Sequence, residues 1–68
     1  MWLNLTTLTN KTALVDMSKV LHMYEVKNGT NVYYNIVETN ALGKPVLKHI
    51  TVKENINLIS RRLRARAV

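Results

Sequence analysis

Four arginines, Arg61, Arg62, Arg64 and Arg66, fall within six residues near the end of the chain. Guanidinium groups at that density suit phosphate or carboxylate, because each presents a planar fork of N–H donors. No acid lies among them. In residues 1–60, six lysines stand against Asp16, Glu25, Glu38 and Glu54. A nearly balanced body thus carries a basic tip, and the net charge is +6. This asymmetry points to an acidic partner, of which nucleic acid is the commonest. Lys48 and Lys53 would extend such a patch. On a helix the arginines flank an apolar stripe, Arg61 and Arg64 on one side, Arg62 and Arg66 on the other. They would straddle a phosphate backbone without reading bases. The same pattern also describes a solvated helix end complementing its own dipole.

Other residue types offer less. Ser18 and Ser60 have no histidine or acid at a spacing that would activate a hydroxyl. His22 and His49 could meet across a sheet, but a strand histidine is more often a half-buried packing residue. The four carboxylates lie in different elements and form no acid–base pair. Gly29 and Gly43 are both explained by turns. A chain this small also leaves little room for the roughly 300 Å³ of a typical ligand pocket. No enzyme activity, metal or cofactor is expected. Tyr24, Tyr33 and Tyr34 could stack on bases, although tyrosines on a central hairpin more often pack with their hydroxyls at the rim. Trp2 is expected in the core or an interface.

The elements that position these residues are legible as periodicities. Residues 2–8 alternate as a strand, Thr9-Asn10-Lys11 is a reversal, and 12–15 is a second strand. Asp16-Met17-Ser18-Lys19 suits a turn. Residues 20–27 and 30–38 flank Asn28-Gly29, which predicts a hairpin with a type I′ turn. Both runs carry apolar residues on both faces, so their sheet should be covered on both sides or curled. Residues 39–45 form a loop, and 46–52 a last strand. From Lys53 the period changes: Val52, Ile56, Ile59 and Leu63 line one helix face. Thr51 or Lys53 would start this helix, with Glu54 in its first turn. The expected fold is α+β in one domain, 1–68. An antiparallel sheet of about five strands (hairpins 2–15 and 20–38, strand 46–52) packs on one amphipathic helix over about 53–66.

The order of these pieces resembles the flagellar FlbD/SwrD-like family of small proteins and similar bacteriophage proteins of unknown role. The residues that carry the resemblance are Leu3-Asn4-Leu5-Thr6, Leu14-Val15-Asp16 leading into Val20-Leu21-His22-Met23-Tyr24-Glu25, and Asn28-Gly29-Thr30-Asn31-Val32-Tyr33. Ile50-Thr51-Val52-Lys53-Glu54-Asn55-Ile56 continues it, and the closing rhythm is distantly similar to LytTR DNA-binding domains. The loop at 39–45 is longer than the family's tight turn. The resemblance implies a non-enzymatic accessory role and carries no ligand signature.

Sixty-eight residues bury only about 60% of the unfolded chain's surface, which leaves a thin stability margin. With no cysteine, disulfides are excluded as compensation. Self-association or docking on a larger partner is the route left. The N-terminal residues lack a signal-peptide pattern, and no apolar run approaches the roughly 18 residues of a membrane span, so the expected location is cytoplasmic. The expected function is an accessory protein-interaction module of phage type, binding another protein or itself as a homo-oligomer, with no membrane partner. The alternative is a small basic nucleic-acid-binding protein using the arginine-rich helix.

Overall fold

A computed structural model describes residues 1–66. Strand β1 (Trp2–Thr6) pairs antiparallel with β2 (Thr12–Asp16), Leu3 opposite Val15 and Leu5 opposite Ala13. Leu3, Leu5 and Val15 turn inward and are buried, while Trp2 and Leu14 on the alternate positions are exposed. The strand stops at Thr6 because Thr7 opens the loop. The Thr7 C=O accepts from Asn10 N–H at 3.0 Å, and Thr7 N–H donates to the Lys11 C=O at 2.8 Å. Asn10 takes a left-handed φ of 64°, which asparagine tolerates through its short polar side chain. The loop at 40–44 is built the same way. Gly43 N–H donates to Asn40 C=O at 3.0 Å, Asn40 N–H to Lys44 C=O at 2.9 Å, and Gly43 has φ 77°. In both loops the first side chain accepts from the fifth backbone N–H, Lys11 on Thr7 Oγ1 and Lys44 on Asn40 Oδ1.

Asp16 caps a single 3-10 turn, Met17–Lys19, and leads into β3 (Val20–Val26). β3 pairs with β4 (Gly29–Thr39), which pairs with β5 (Pro45–Val52), all antiparallel. The hairpin expected at Asn28-Gly29 is present, but one residue out of place. Val26 pairs with Gly29, so the loop is Lys27-Asn28, and Asn28 has no positive φ. The type I′ expectation is therefore corrected. Gly29 is needed for a different reason: its φ is 150°, and a Cβ there would lie 1.8 Å from the Val52 carbonyl oxygen. β4 and β5 run on past a register shift between Tyr33 and Val37. Residues 35–46, beyond it, are exposed throughout. This projecting arm gives the molecule its extents of 41 × 24 × 19 Å.

The expected single sheet is in fact two, of two and three strands. They meet through one bridge, Thr7 to Val52, and through Lys53 N–H donating to the Thr6 C=O at 2.8 Å. From this joint the sheets diverge around a core of Leu3, Leu5, Val15, Val32, Val52 and Ile59. The helix α1 (Ile56–Arg66) supplies Ile59, with Leu63 packed beside it. It starts later than expected. Asn55 Oδ1 accepts from Leu58 N–H at 2.8 Å, the bond of an N-cap residue to the third helical position. Glu54 therefore precedes the helix, and no acid stands in the first turn. The three-stranded sheet is covered on one face only. Thr30, Val32 and Val52 are buried on the inner face, whereas no residue of the outer face is buried.

Candidate functional site

The pairing register determines which backbone groups of the small hairpin stay open. Thr7 N–H on Lys11 C=O and Met17 N–H on Met1 C=O place Leu3–Val15 and Leu5–Ala13 among the mutually bonded pairs. The alternate residues then aim their N–H and C=O groups away from the hairpin. On β1 these groups are taken. Thr6 N–H donates to the Glu54 carboxylate, Thr6 C=O accepts from Lys53, and Asn4 C=O accepts from Arg62 Nη1 at 2.9 Å. On β2, whose one paired strand is β1, Thr12 and Leu14 face the other way.

Beside that open edge runs a groove of about 430 Å³, walled by Trp2 and Leu14 on the hairpin and by Tyr34, Ile36 and Ile50 on the larger sheet. It is larger than the sequence reading allowed, because the two sheets splay from their single joint. Lys19, Lys48 and Asp16 stand along it. The Asp16 carboxylate is engaged, accepting from the Ser18 hydroxyl at 2.7 Å and Ser18 N–H at 3.1 Å. The Ser18 hydroxyl is the first cause that holds Asp16 below its ordinary value, against a smaller opposing effect of burial. The two lysines give the groove a positive balance. Burial pushes the Tyr34 phenol up, because the ring packs partly on the core while it also walls the groove.

The cations read from the sequence do not gather into one patch. Arg62 lies back on the body, on Asn4 C=O and 3.8 Å from Glu54 Oε2. Arg61 and Arg64 are exposed, while the Arg66 side chain lies outside the described residues. Lys53 Nζ donates to Asn10 Oδ1, and Lys48 lines the groove. His22 and His49 do not meet: the Tyr33 ring lies between them, its centroid 4.9 Å from one and 5.0 Å from the other. Sequence reasoning did not single out β2 as the open edge and missed the groove, since which strand lies at an edge is a property of topology and leaves no mark on a five-residue strand.

Glu54 is the most highly connected polar side chain at the joint. Burial pushes its carboxyl up, but hydrogen bonds from Thr6 N–H, its own N–H and the Thr6 hydroxyl, with the Arg62 guanidinium, outweigh burial and hold it below the ordinary value. Among the described residues, no three metal-ligating side chains cluster, and no helix is long and apolar enough to cross a membrane. Comparison of the chain with models of protein families, with curated proteins and with solved structures finds no match.

Proposed function

We propose that this chain is a non-enzymatic accessory module that holds another protein by strand addition at β2. The observation that carries this reading is the coincidence of an open strand edge with an apolar groove. An added strand would satisfy the N–H and C=O groups of Thr12 and Leu14 and lay alternate side chains on Tyr34, Ile36 and Ile50. The occupant is an extended, alternating apolar segment carrying a carboxylate, because Lys19 and Lys48 stand along the groove and the one acid there is already held by Ser18. A second copy fits less well, since each copy brings a charge of +6 to a basic groove. Of the other edges, β3 is broken by a register shift at Leu21, a feature that discourages pairing. β5 begins at Pro45, which has no N–H to donate, and is bridged to Thr7 at Val52.

The test is a titration of isotope-labelled chain with eight-residue peptides alternating valine with either glutamate or lysine. The glutamate peptide is expected to bind more tightly and to slow amide exchange at Thr12 and Leu14, with Ala13 and Val15 already slow beforehand. Leu14→Pro removes an N–H that serves only the open edge, and should abolish binding while the fold persists. Slowed exchange at the same amides on concentrating the chain alone would replace the partner with a second copy. Unchanged exchange at Thr12 and Leu14 under every condition would sink strand addition.

A further inference from the structure

We propose that the outer face of the β3–β4–β5 sheet is a stacking site for the bases of single-stranded nucleic acid. Four rings from three adjacent strands form a continuous row there. His49 stacks on Tyr33 at 5.0 Å and 26°, Tyr33 lies 4.9 Å from His22, and His22 meets Tyr24 edge-on at 4.9 Å. Strands about 4.8 Å apart bring such rings side by side across the sheet. Tyr24 is 60% exposed, so its ring is spent on the surface and not on the core. This arrangement differs from that of Tyr34, whose ring packs inward.

The surroundings suit a polyanion. Strand alternation puts Glu25 and Glu38 on the opposite face, while Asp16 lies on β2 and Glu54 at the joint between the sheets. The ring-bearing strand positions thus include no carboxylate, in a chain of net charge +6. β3 and β5 both run antiparallel to β4, so their ends lie together. Lys27, directly after β3, and Lys53, directly after β5, therefore mark the same end of the sheet, where the Lys53 ammonium is held by Asn10 and Lys27 is exposed. Beside the rings, Asn31 accepts from the Thr51 hydroxyl at 2.6 Å, which fixes its amide with the N–H groups turned toward Tyr33. One of these N–H groups donates to the Tyr33 hydroxyl at 3.5 Å, which leaves the second as a donor for a base edge. Exposed aromatics without acids among them, in a chain of positive charge, hold single strands with little sequence preference, because every base has a stackable face.

This site is distinct from the β2 groove, and the two are tested separately. Fluorescence anisotropy at 50 mM salt compares a labelled twelve-residue oligothymidine, an abasic strand of the same length and a twelve-base-pair duplex. The thymidine strand is expected to bind more tightly than the other two. Tyr24→Ala should weaken it roughly 5-fold or more, and Tyr24→Phe should leave it unchanged, since stacking needs the ring and not the hydroxyl. Equal affinity for the abasic strand, tighter binding of the duplex or no binding of any probe would each overturn the proposal. So would loss of binding in an Arg61→Gln, Arg64→Gln variant together with full binding by Tyr24→Ala, which would move the site to the helix.

Discussion

Glu54 and Thr6, 48 positions apart, are joined by three hydrogen bonds: from Thr6 N–H at 2.8 and 3.1 Å, and from the Thr6 hydroxyl at 3.0 Å. The first two share one donor between the two carboxylate oxygens. The Glu54 carbonyl in turn accepts from the buried Thr30 hydroxyl at 2.8 Å. One residue thereby ties the end of β1 to β4 and to the start of the helix. It also covers a backbone N–H that would otherwise lie open on the edge of β1. In a domain whose two sheets share a single bridge, this contact does what a longer ladder would do.

A pH dependence follows from it. The folded carboxyl of Glu54 lies below its ordinary value of 4.5, so the unfolded chain takes up the proton first as pH falls. Its contribution is present above pH 4.5 and is lost as pH drops through the lower folded value. Urea unfolding should show stability falling below that pH in the native chain. Glu54→Gln should be less stable at neutral pH and flatter across the acid range. Asp16, shifted the same way by Ser18, contributes in the same direction, so Asp16→Asn serves as the control. An acid limb as steep in Glu54→Gln as in the native chain would place the titration elsewhere.

Arg62 should behave unlike its neighbours. It donates to Asn4 C=O and pairs loosely with Glu54, whereas Arg61 and Arg64 are exposed. Arg62→Gln is expected to cost about 1 kcal/mol, a hydrogen bond to charge discounted for its partial exposure. Arg61→Gln and Arg64→Gln should stay within about 0.5 kcal/mol of the native chain. A double-mutant cycle between Arg62 and Glu54 should return a nonzero coupling. Equal effects at all three arginines would mean that the contact with β1 contributes nothing in solution.

The sequence carried the local structure well and the assembly poorly. Alternation located all five strands, and the three-four spacing of Ile56, Ile59 and Leu63 located the helix, because these periods are imposed by burial of one face. Val52, expected on the same helix face, instead ends β5. The helix start was misread because Asn55 was not recognised as its cap, which left Glu54 free to bridge to a strand 48 positions away. Which edges are paired, which sheet face is covered and where Arg62 reaches are all decided by contacts between residues far apart in sequence. The arginines looked alike as a cluster; their surroundings separate them.

The two glycines should respond differently to a methyl group. Gly43 has a left-handed φ of 77° with open space around a Cβ, so Gly43→Ala should cost only the backbone strain, about 1 kcal/mol. At Gly29 a Cβ would overlap the Val52 carbonyl oxygen at 1.8 Å, and β5 would have to move. Gly29→Ala is expected to cost about 3 kcal/mol or more, and Gly29→Val to leave the chain unfolded. Thermal melts decide this. An unchanged midpoint in Gly29→Ala would show that β4 and β5 do not approach as closely as this pairing requires.

The helix is attached to the sheets chiefly through one side chain. Ile59 is fully buried among Leu3, Leu5, Val15, Val32 and Val52, while Leu63 is only partly buried beside them. Leu58, one position away, is also only half-buried. Removing the Ile59 side chain leaves a cavity that two loosely joined sheets cannot close without losing Val52, which also forms the bridge to Thr7. Ile59→Ala is therefore expected to cost about 2–5 kcal/mol, and Ile59→Val about 0.5–1.5 kcal/mol. Leu63→Ala should fall between Ile59→Ala and Leu58→Ala. So small a domain holds only a few kcal/mol in reserve, and Ile59→Ala should unfold far below the native midpoint in urea. Amide exchange offers a second reading. If the helix docks through Ile59, the alanine variant should expose the helix amides and those of β1 together, because Glu54 and Arg62 link the two elements. Equal tolerance of alanine at 58, 59 and 63 would sink the docked helix, and with it the closure of the β1 edge by Arg62.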